Sequence, residues 1–215
     1  MNRAIETIRL TGHVPYSEAY SRQVERRKAV EEGSAGNALF LLEHRPVITL
    51  GRSFQPQNLL QSEPDLRALG FDVCRVDRGG DATYHGPGQL VAYPVLNLNA
   101  WTPSIQWYLR ALESVLIAQL AEYGLEGGRL EGFTGVWVNG AKVAAVGIGV
   151  HGWVTFHGIA LNVDPDMSHF SCIVPCGISD KPVTSLRVLL GKAPAMARVM
   201  DDFERHFRAQ FEVVG

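Results

Sequence analysis

The sequence has little of what secreted, membrane-spanning or nucleic-acid-binding proteins need. It contains only three cysteines in 215 residues, too few and too unevenly spaced for a disulfide framework. We therefore expect a reducing, cytoplasmic location. No apolar run approaches the ~20 residues that span a bilayer, and residues 1–10 lack the basic-then-apolar layout of a secretory signal. The formal charge of −2 shows no basic excess of the kind that nucleic-acid binders carry.

The length of 215 residues and the lack of a convincing linker indicate one domain over residues 1–215. Its apolar patterns place strands in the middle of the chain and helices around them. Apolar residues three and four apart predict helices, and shorter apolar runs predict strands. Asn139-Gly140 between two strand-like runs is a typical hairpin turn. We expect an α+β fold, in which helices pack on a mixed, mostly antiparallel sheet. The predicted helices cover residues 15–30, 64–69, 103–123 and 194–211, and the predicted strands 38–42, 47–50, 71–76, 90–98, 135–138, 141–150 and 153–163.

Residues 78–90 form the most informative stretch, with four glycines and one proline in its first eleven positions. Glycine allows backbone shapes and close approaches that a Cβ forbids. We expect a polar loop that buries no core of its own and presents a binding site between two strands. An ordinary long turn is the alternative. No Gly-Lys-Ser/Thr ending follows, so the pattern of a phosphate-binding P-loop is not met.

Cys176 and Lys142 are the residues that could carry covalent chemistry. Cys176 lies between Pro175 and Gly177 in a long loop predicted over residues 164–184, where it is either a nucleophile or an inert thiol. Lys142 opens a strand of small apolar residues, so its amine either reaches water or points into a cleft with Cys176. In a shared cleft its charge would stabilise the thiolate. The four-residue spacing from Cys172 does not support a zinc or redox pair.

Four segments taken together resemble the signature of the octanoyl-(acyl carrier protein):protein N-octanoyltransferases, the enzymes of lipoate biosynthesis. The match extends over most of the chain, from about residue 43 to residue 186. The resemblance implies the fold that lipoate and biotin protein ligases share. The segments are residues 78–90 (RGGDATYHGPGQL), 140–147 (GAKVAAVG), 156–162 (FHGIALN), and 175–178 (PCGI) followed by 183–186 (VTSL).

This resemblance also implies a reaction. The enzyme would move an octanoyl or lipoyl group from acyl carrier protein to a lysine on the lipoyl domains of oxo-acid dehydrogenase complexes and on the glycine cleavage H protein. Cys176 would carry the acyl group as a thioester, with Lys142 as its catalytic partner. We expect no ATP, metal or other cofactor, because a thioester donor already carries an activated acyl group. We also expect a monomer.

The resemblance further implies an acyl-binding site built from three of the segments. His44 and His157 fall in family-like segments, and whether they line this site is open. The residues implied to line it are Arg78, Gly79, Gly80, Asp81, Ala82, Thr83, Tyr84, His85, Ala145, Val146, Gly147, Gly158, Ile159 and Ala160.

Two other interpretations compete with this one. An ATP-dependent lipoate or biotin ligase would also use a glycine-rich loop and a strand lysine, but it would need no cysteine nucleophile. A carrier that only binds acyl groups or lipoyl domains would need neither Cys176 nor Lys142. Separately, the first predicted helix carries a basic face, either simply solvated or a docking face for acidic protein partners. That face comprises Arg22, Arg26, Arg27 and Lys28.

Overall fold

A computed structural model describes residues 3–175 and 181–212 of the chain. Cys176, the expected nucleophile, lies outside the described residues. Within these described residues the strands are β1 (Ile5–Val14), β2 (Asn37–His44), β3 (Val47–Leu50), β4 (Asp72–Arg75), β5 (Ala82–His85), β6 (Gln89–Val95), β7 (Gly128–Leu130), β8 (Phe133–Val138), β9 (Ala141–His151) and β10 (Val154–Asn162). The α-helices in the same described ranges are α1 (Tyr16–Glu31), α2 (Glu63–Ala68), α3 (Ile105–Glu122), α4 (Leu186–Leu190) and α5 (Met196–Phe211).

Seven strands form one large sheet in the order β1-β2-β6-β10-β9-β8-β7. Only β1 and β2 pair in parallel, and the other neighbours are antiparallel. Helices α3 and α5 pack together over one face, where their leucine, valine and phenylalanine side chains are buried. Helix α1 lies on the opposite face, against β10 and β6. The α+β fold with a mixed, mostly antiparallel sheet is therefore confirmed.

A second sheet of three strands, in the order β4-β3-β5, stands beside the large one. Strand β3 pairs in parallel with β4 and antiparallel with β5. Its core includes Ile48, Tyr84 and Phe170, the last from the 3₁₀ turns over residues 167–172. This small sheet holds the glycine-rich segment against the large sheet.

Local signals explain several boundaries. Asn139 and Gly140 both have positive φ, 50° and 78°, as the predicted two-residue turn between β8 and β9 requires. The third predicted helix begins at Ile105 instead of residue 103, because the Ser104 hydroxyl accepts from the Trp107 N–H and caps the helix there. No helix in the described part of the chain is long and apolar enough to cross a membrane.

Three strands differ from the expectations, and the shortest of them, β7, has no counterpart among the predicted strands. Strand β1 was not predicted, because it is an edge strand with a largely polar and partly exposed sequence. Strand β5 lies inside the segment expected to be a polar loop that buries no core. That expectation is wrong, because Ala82 and Tyr84 are fully buried in the core of the small sheet.

Candidate functional site

The glycine-rich segment is anchored by the buried side chain of Arg78. Its guanidinium donates to the carbonyl of Thr49 at 2.7 Å and to the Thr49 hydroxyl at 2.8 Å, both on β3. It also donates to the carbonyl of Gly79 at 3.0 Å. The Gly79 N–H then donates to the carbonyl of Ile148 at 2.9 Å. Arg78 therefore connects the small sheet to β9, where the glycine segment crosses the large sheet.

A row of small residues forms the sheet-side wall of a narrow slot beneath this segment. Ala145 faces Ala160, and Gly147 faces Gly158, across the antiparallel pair of β9 and β10. Side chains this small leave room between the sheet and the glycine segment. The slot has a volume of about 50 Å³. Its lining residues are Tyr16, Arg78, Gly79, Gly80, Asp81, Thr83, His85, Tyr93, Ala145, Val146, Gly147, His157, Gly158, Ile159 and Ala160.

Most residues that the family resemblance assigned to the acyl site therefore surround one cavity. Ala82 and Tyr84 do not, because side chains alternate along β5 and these two point into the core of the small sheet. Thr83 and His85 take the opposite side of the same strand and face the slot. Sequence reasoning treated residues 78–85 as one loop and could not separate the two faces.

One end of the slot is closed by a cluster of tyrosine and histidine rings. The His157 ring lies 5.6 Å from that of Tyr20 and 6.3 Å from that of Tyr93 between ring centroids. His44 lies 5.4 Å from Tyr16. Of the two histidines left open by the sequence, His157 lines the slot and His44 lies behind it.

Hydrogen bonds determine which nitrogen of each histidine carries a proton. His44 Nδ1 faces the Val14 carbonyl at 2.9 Å, so it donates, and Nε2 accepts from the Tyr93 hydroxyl at 2.7 Å. His157 Nε2 donates to the Asp77 carboxylate at 2.8 Å. His44 is therefore held as the neutral Nδ1–H tautomer, and both rings have a fixed orientation.

Burial governs the protonation of these groups. It lowers the pKa of His44 to about 4 and that of His85 to about 3. Burial also lowers the pKa of His157. The pKa of the Asp77 carboxyl is lowered mainly by its hydrogen bond from His157. At neutral pH the neutral form is consequently favoured for both histidines of the slot, His85 and His157.

A chain of hydrogen bonds leads from His85 toward Lys142. His85 Nδ1 donates to Gln89 Oε1 at 2.7 Å, and Gln89 Nε2 donates to Asn162 Oδ1 at 2.9 Å. Asn162 Nδ2 donates to the Thr184 carbonyl at 3.0 Å. The Thr184 N–H in turn donates to the Lys142 carbonyl at 2.9 Å. Gln89 and Asn162 lie in two of the family-like segments. No sequence pattern predicts the hydrogen bond between them, because they are 73 positions apart.

Lys142 is almost wholly buried, with 6% of its surface exposed. Its Nζ lies 4.8 Å from the ring centroid of Trp137, within the range of a cation–π contact. Lys142 and Pro175, the residue that precedes Cys176, line one small cavity. Thr83, Ala145 and Ala160 line both this cavity and the slot. The slot therefore extends from the tyrosine–histidine cluster toward Lys142.

A larger groove opens on the other side of β9, where β8 and β9 separate. It has a volume of about 590 Å³ and shares Gly79, Gly80, Val146 and Gly147 with the slot. Lys142 lines it as well. Its other walls are mainly apolar and come from Ile105, Leu109, Phe133, Ile148 and Val150, with Arg52, Gly132 and Thr134 at its edge. Sequence patterns did not indicate this groove.

The basic face of α1 is largely paired within the chain. Arg22 pairs with Glu18, Arg26 with Glu6, and Arg27 with Glu31. Within residues 3–175 and 181–212, no three His, Cys, Asp or Glu side chains are grouped so that they could hold a metal ion.

Comparisons with known proteins identify similar chains. The family model of the lipoyl protein ligase A/B catalytic domain matches residues 15–208. An octanoyltransferase of Chloroflexus aggregans is 48% identical over 198 residues, which cover 91% of this chain and 90% of that protein. An octanoyltransferase of Nostoc punctiforme is 52% identical over 176 residues, 81% of this chain and 75% of that protein.

Solved structures share the fold at low sequence identity. A lipoate-protein ligase A bound with ATP superposes with a TM-score of 0.75 at 17% identity, covering 96% of this chain and 86% of that chain. A biotin protein ligase from Aquifex aeolicus in complex with biotin and ATP gives a TM-score of 0.57 at 15% identity, covering 96% and 70%. These similarities confirm the expected ligase-like fold.

Proposed function

This chain belongs to the lipoyl protein ligase A/B catalytic domain family and is an acyltransferase that resembles octanoyltransferases, and on that premise we propose its donor, acceptor and intermediate. The donor is octanoyl-acyl carrier protein. The acceptor is the ε-amine of one lysine on a lipoyl domain, and the intermediate is a thioester on Cys176. ATP and metal ions take no part. The observation that supports this most is the slot of small residues leading to Lys142.

The acyl chain occupies the slot, with its carbonyl toward Lys142. Ala145, Gly147, Gly158 and Ala160 present little beyond backbone to the chain, so an alkyl group can lie flat against the sheet. Arg78 holds the opposite wall through its bonds to Thr49. Contacts of this kind bury apolar area, worth about 0.8 kcal/mol for each buried methylene.

In the first half-reaction the Cys176 thiol loses its proton to Lys142, and the thiolate attacks the donor thioester. The tetrahedral intermediate collapses, the C–S bond to the carrier breaks, and Lys142 returns the proton to the departing thiol. In the second half-reaction the acceptor amine attacks the acyl-enzyme. Lys142 takes a proton from that amine, the amide forms, and the Cys176 thiolate leaves. Each half-reaction is balanced without ATP.

Intact-mass spectrometry after incubation with octanoyl-acyl carrier protein tests this scheme. We expect a hydroxylamine-labile octanoyl adduct on the wild type and on Cys172→Ala, and none on Cys176→Ala. Cys172 is a suitable control because it is a buried thiol only four positions away. If a lipoyl domain is octanoylated only with ATP and free octanoate, the protein is a ligase. If neither an adduct nor transfer occurs under any condition, it is a carrier.

A further inference from the structure

The groove on the α3 side of β9 lies outside the slot that we propose for the acyl chain. Its volume of about 590 Å³ lies within the range of cavities that bind small molecules or cofactors, about 300–1,000 Å³. It joins the slot through Gly79, Gly80, Val146 and Gly147, and Lys142 lines it. Anything bonded to an acyl carbonyl beside Lys142 must extend away from the slot, and this groove is the space next to it.

Apolar side chains line the groove along its length, and a cationic side chain lies at its edge. Ile105, at its wall, is one of the few large apolar side chains that the fold leaves half exposed, at 50%. Arg52 is exposed at the edge. Its backbone is fixed, because the Arg52 N–H donates to the Arg78 carbonyl at 3.0 Å. Among residues 3–175 and 181–212, the Arg52 guanidinium forms no ion pair with a carboxylate.

We propose that this groove binds the phosphopantetheine arm of the acyl donor, with Arg52 contacting its phosphate. The inference rests on the function proposed above. The arm is a chain of methylene, dimethyl and amide groups that ends in a phosphodiester, so apolar walls match its length and a cation matches its end. The thioester at its other end lies beside Lys142, where the acyl chain enters the slot. The acceptor lysine reaches the carbonyl only after the arm has left.

Two small donors that differ only in the phosphate test the assignment. Octanoyl-4′-phosphopantetheine and octanoyl-pantetheine are compared as donors for wild type, Arg52→Ala and Lys192→Ala, with acyl-enzyme formation as the readout. Lys192 is a matched exposed cation outside the groove. We expect Arg52→Ala to raise KM about five- to ten-fold for the phosphorylated donor, near the tenfold that 1.4 kcal/mol represents. We expect the KM of Arg52→Ala for octanoyl-pantetheine to stay at the wild-type level. For Lys192→Ala, the KM for each of the two donors should also equal that of the wild type.

Ile105→Asp provides a second measurement, because it places a charge on the apolar wall. We expect it to raise KM for both donors, while KM for a lipoyl domain acting on pre-formed acyl-enzyme is unchanged. Equal effects of Arg52→Ala on both donors, or no effect on either, overturn the phosphate contact. A shift in the lipoyl-domain KM instead assigns the groove to the acceptor. If the wild type accepts octanoyl from neither thioester donor, the proposed function itself is wrong. That outcome is distinct from a wrong assignment of Arg52, in which the wild type still forms the acyl-enzyme.

Discussion

Gly147 on β9 and Arg78 in the glycine segment approach so closely that a Cβ on Gly147 would lie 3.3 Å from the Arg78 Cδ. The same Cβ would lie 3.3 Å from the Gly79 carbonyl oxygen. Both neighbours would have to shift by a few tenths of an ångström. Since Arg78 is tied to Thr49, the added methyl group would take its space largely from the slot.

Gly147→Ala should therefore narrow the slot while destabilising the fold only slightly. We expect the free energy of unfolding to fall by about 1 kcal/mol, and octanoyl transfer to fall far more than transfer of a two- or four-carbon acyl group. Rates with donors of graded chain length measure this. Gly128→Ala is the control, since a Cβ there meets nothing within 4 Å. Equal loss for all chain lengths would mean that Gly147 does not line the acyl path.

Two buried histidines, His44 and His85, predict how stability depends on pH. The ordinary pKa of 6.5 is lowered to about 4 for His44 and to about 3 for His85. Between pH 6.5 and about 4, protons therefore bind the unfolded chain in preference to the folded one. Stability from these groups is complete above pH 6.5 and falls on acidification, by about 1.4 kcal/mol per pH unit for each histidine.

Denaturant unfolding at pH 7 and pH 5 should show this loss. We expect a decrease on the order of 3–4 kcal/mol for the wild type and about half of it for His44→Gln, whose amide can keep both hydrogen bonds. His13→Gln, at an exposed position, serves as the control and should retain the wild-type pH dependence. An unchanged pH dependence in His44→Gln would show that His44 is not held neutral in the folded state.

Individual helices and turns were predictable from the sequence where the local pattern was strong. Helices α3 and α5 follow from apolar stripes, and the β8–β9 hairpin follows from Asn139-Gly140. Strand β1 could not be predicted in this way, because its sequence is largely polar. It is held as a strand by parallel pairing with β2, a contact that no local pattern indicates. The family-like segments indicated the residues around the slot, but not which face of β5 each one takes.

The partners of those residues were beyond the reach of sequence patterns. Thr49 anchors Arg78, and Tyr16 and Tyr93 close the slot, yet none of them lies in a recognisable motif. Each interacts with a residue distant in sequence, so only folding brings the groups together. The same holds for Asn162, which meets Gln89 and Thr184 at one point.

Asn162 should affect catalysis through the backbone of Lys142. Asn162→Leu removes the donor to the Thr184 carbonyl and one of the two acceptors of the buried Gln89 amide, at a cost of about 1–3 kcal/mol in stability. Thr184 bonds to the Lys142 carbonyl, so we expect kcat to fall with KM for the donor nearly unchanged. Asn162→Asp keeps the acceptor and should lose less. A change in stability alone, with wild-type kcat, would rule out a positioning role.

Lys142→Arg separates proton transfer from positive charge. Arginine keeps a cation that can remain over the Trp137 ring, but its guanidinium stays protonated and cannot accept a proton. We expect transfer to a lipoyl domain to fall by about 10²–10⁴-fold, the usual contribution of a general base, while thermal unfolding shows a folded protein. Lys192→Arg, at an exposed position, controls for the substitution itself. If Lys142→Arg retains wild-type transfer, Lys142 acts through its charge alone and another group must accept the proton from the acceptor amine.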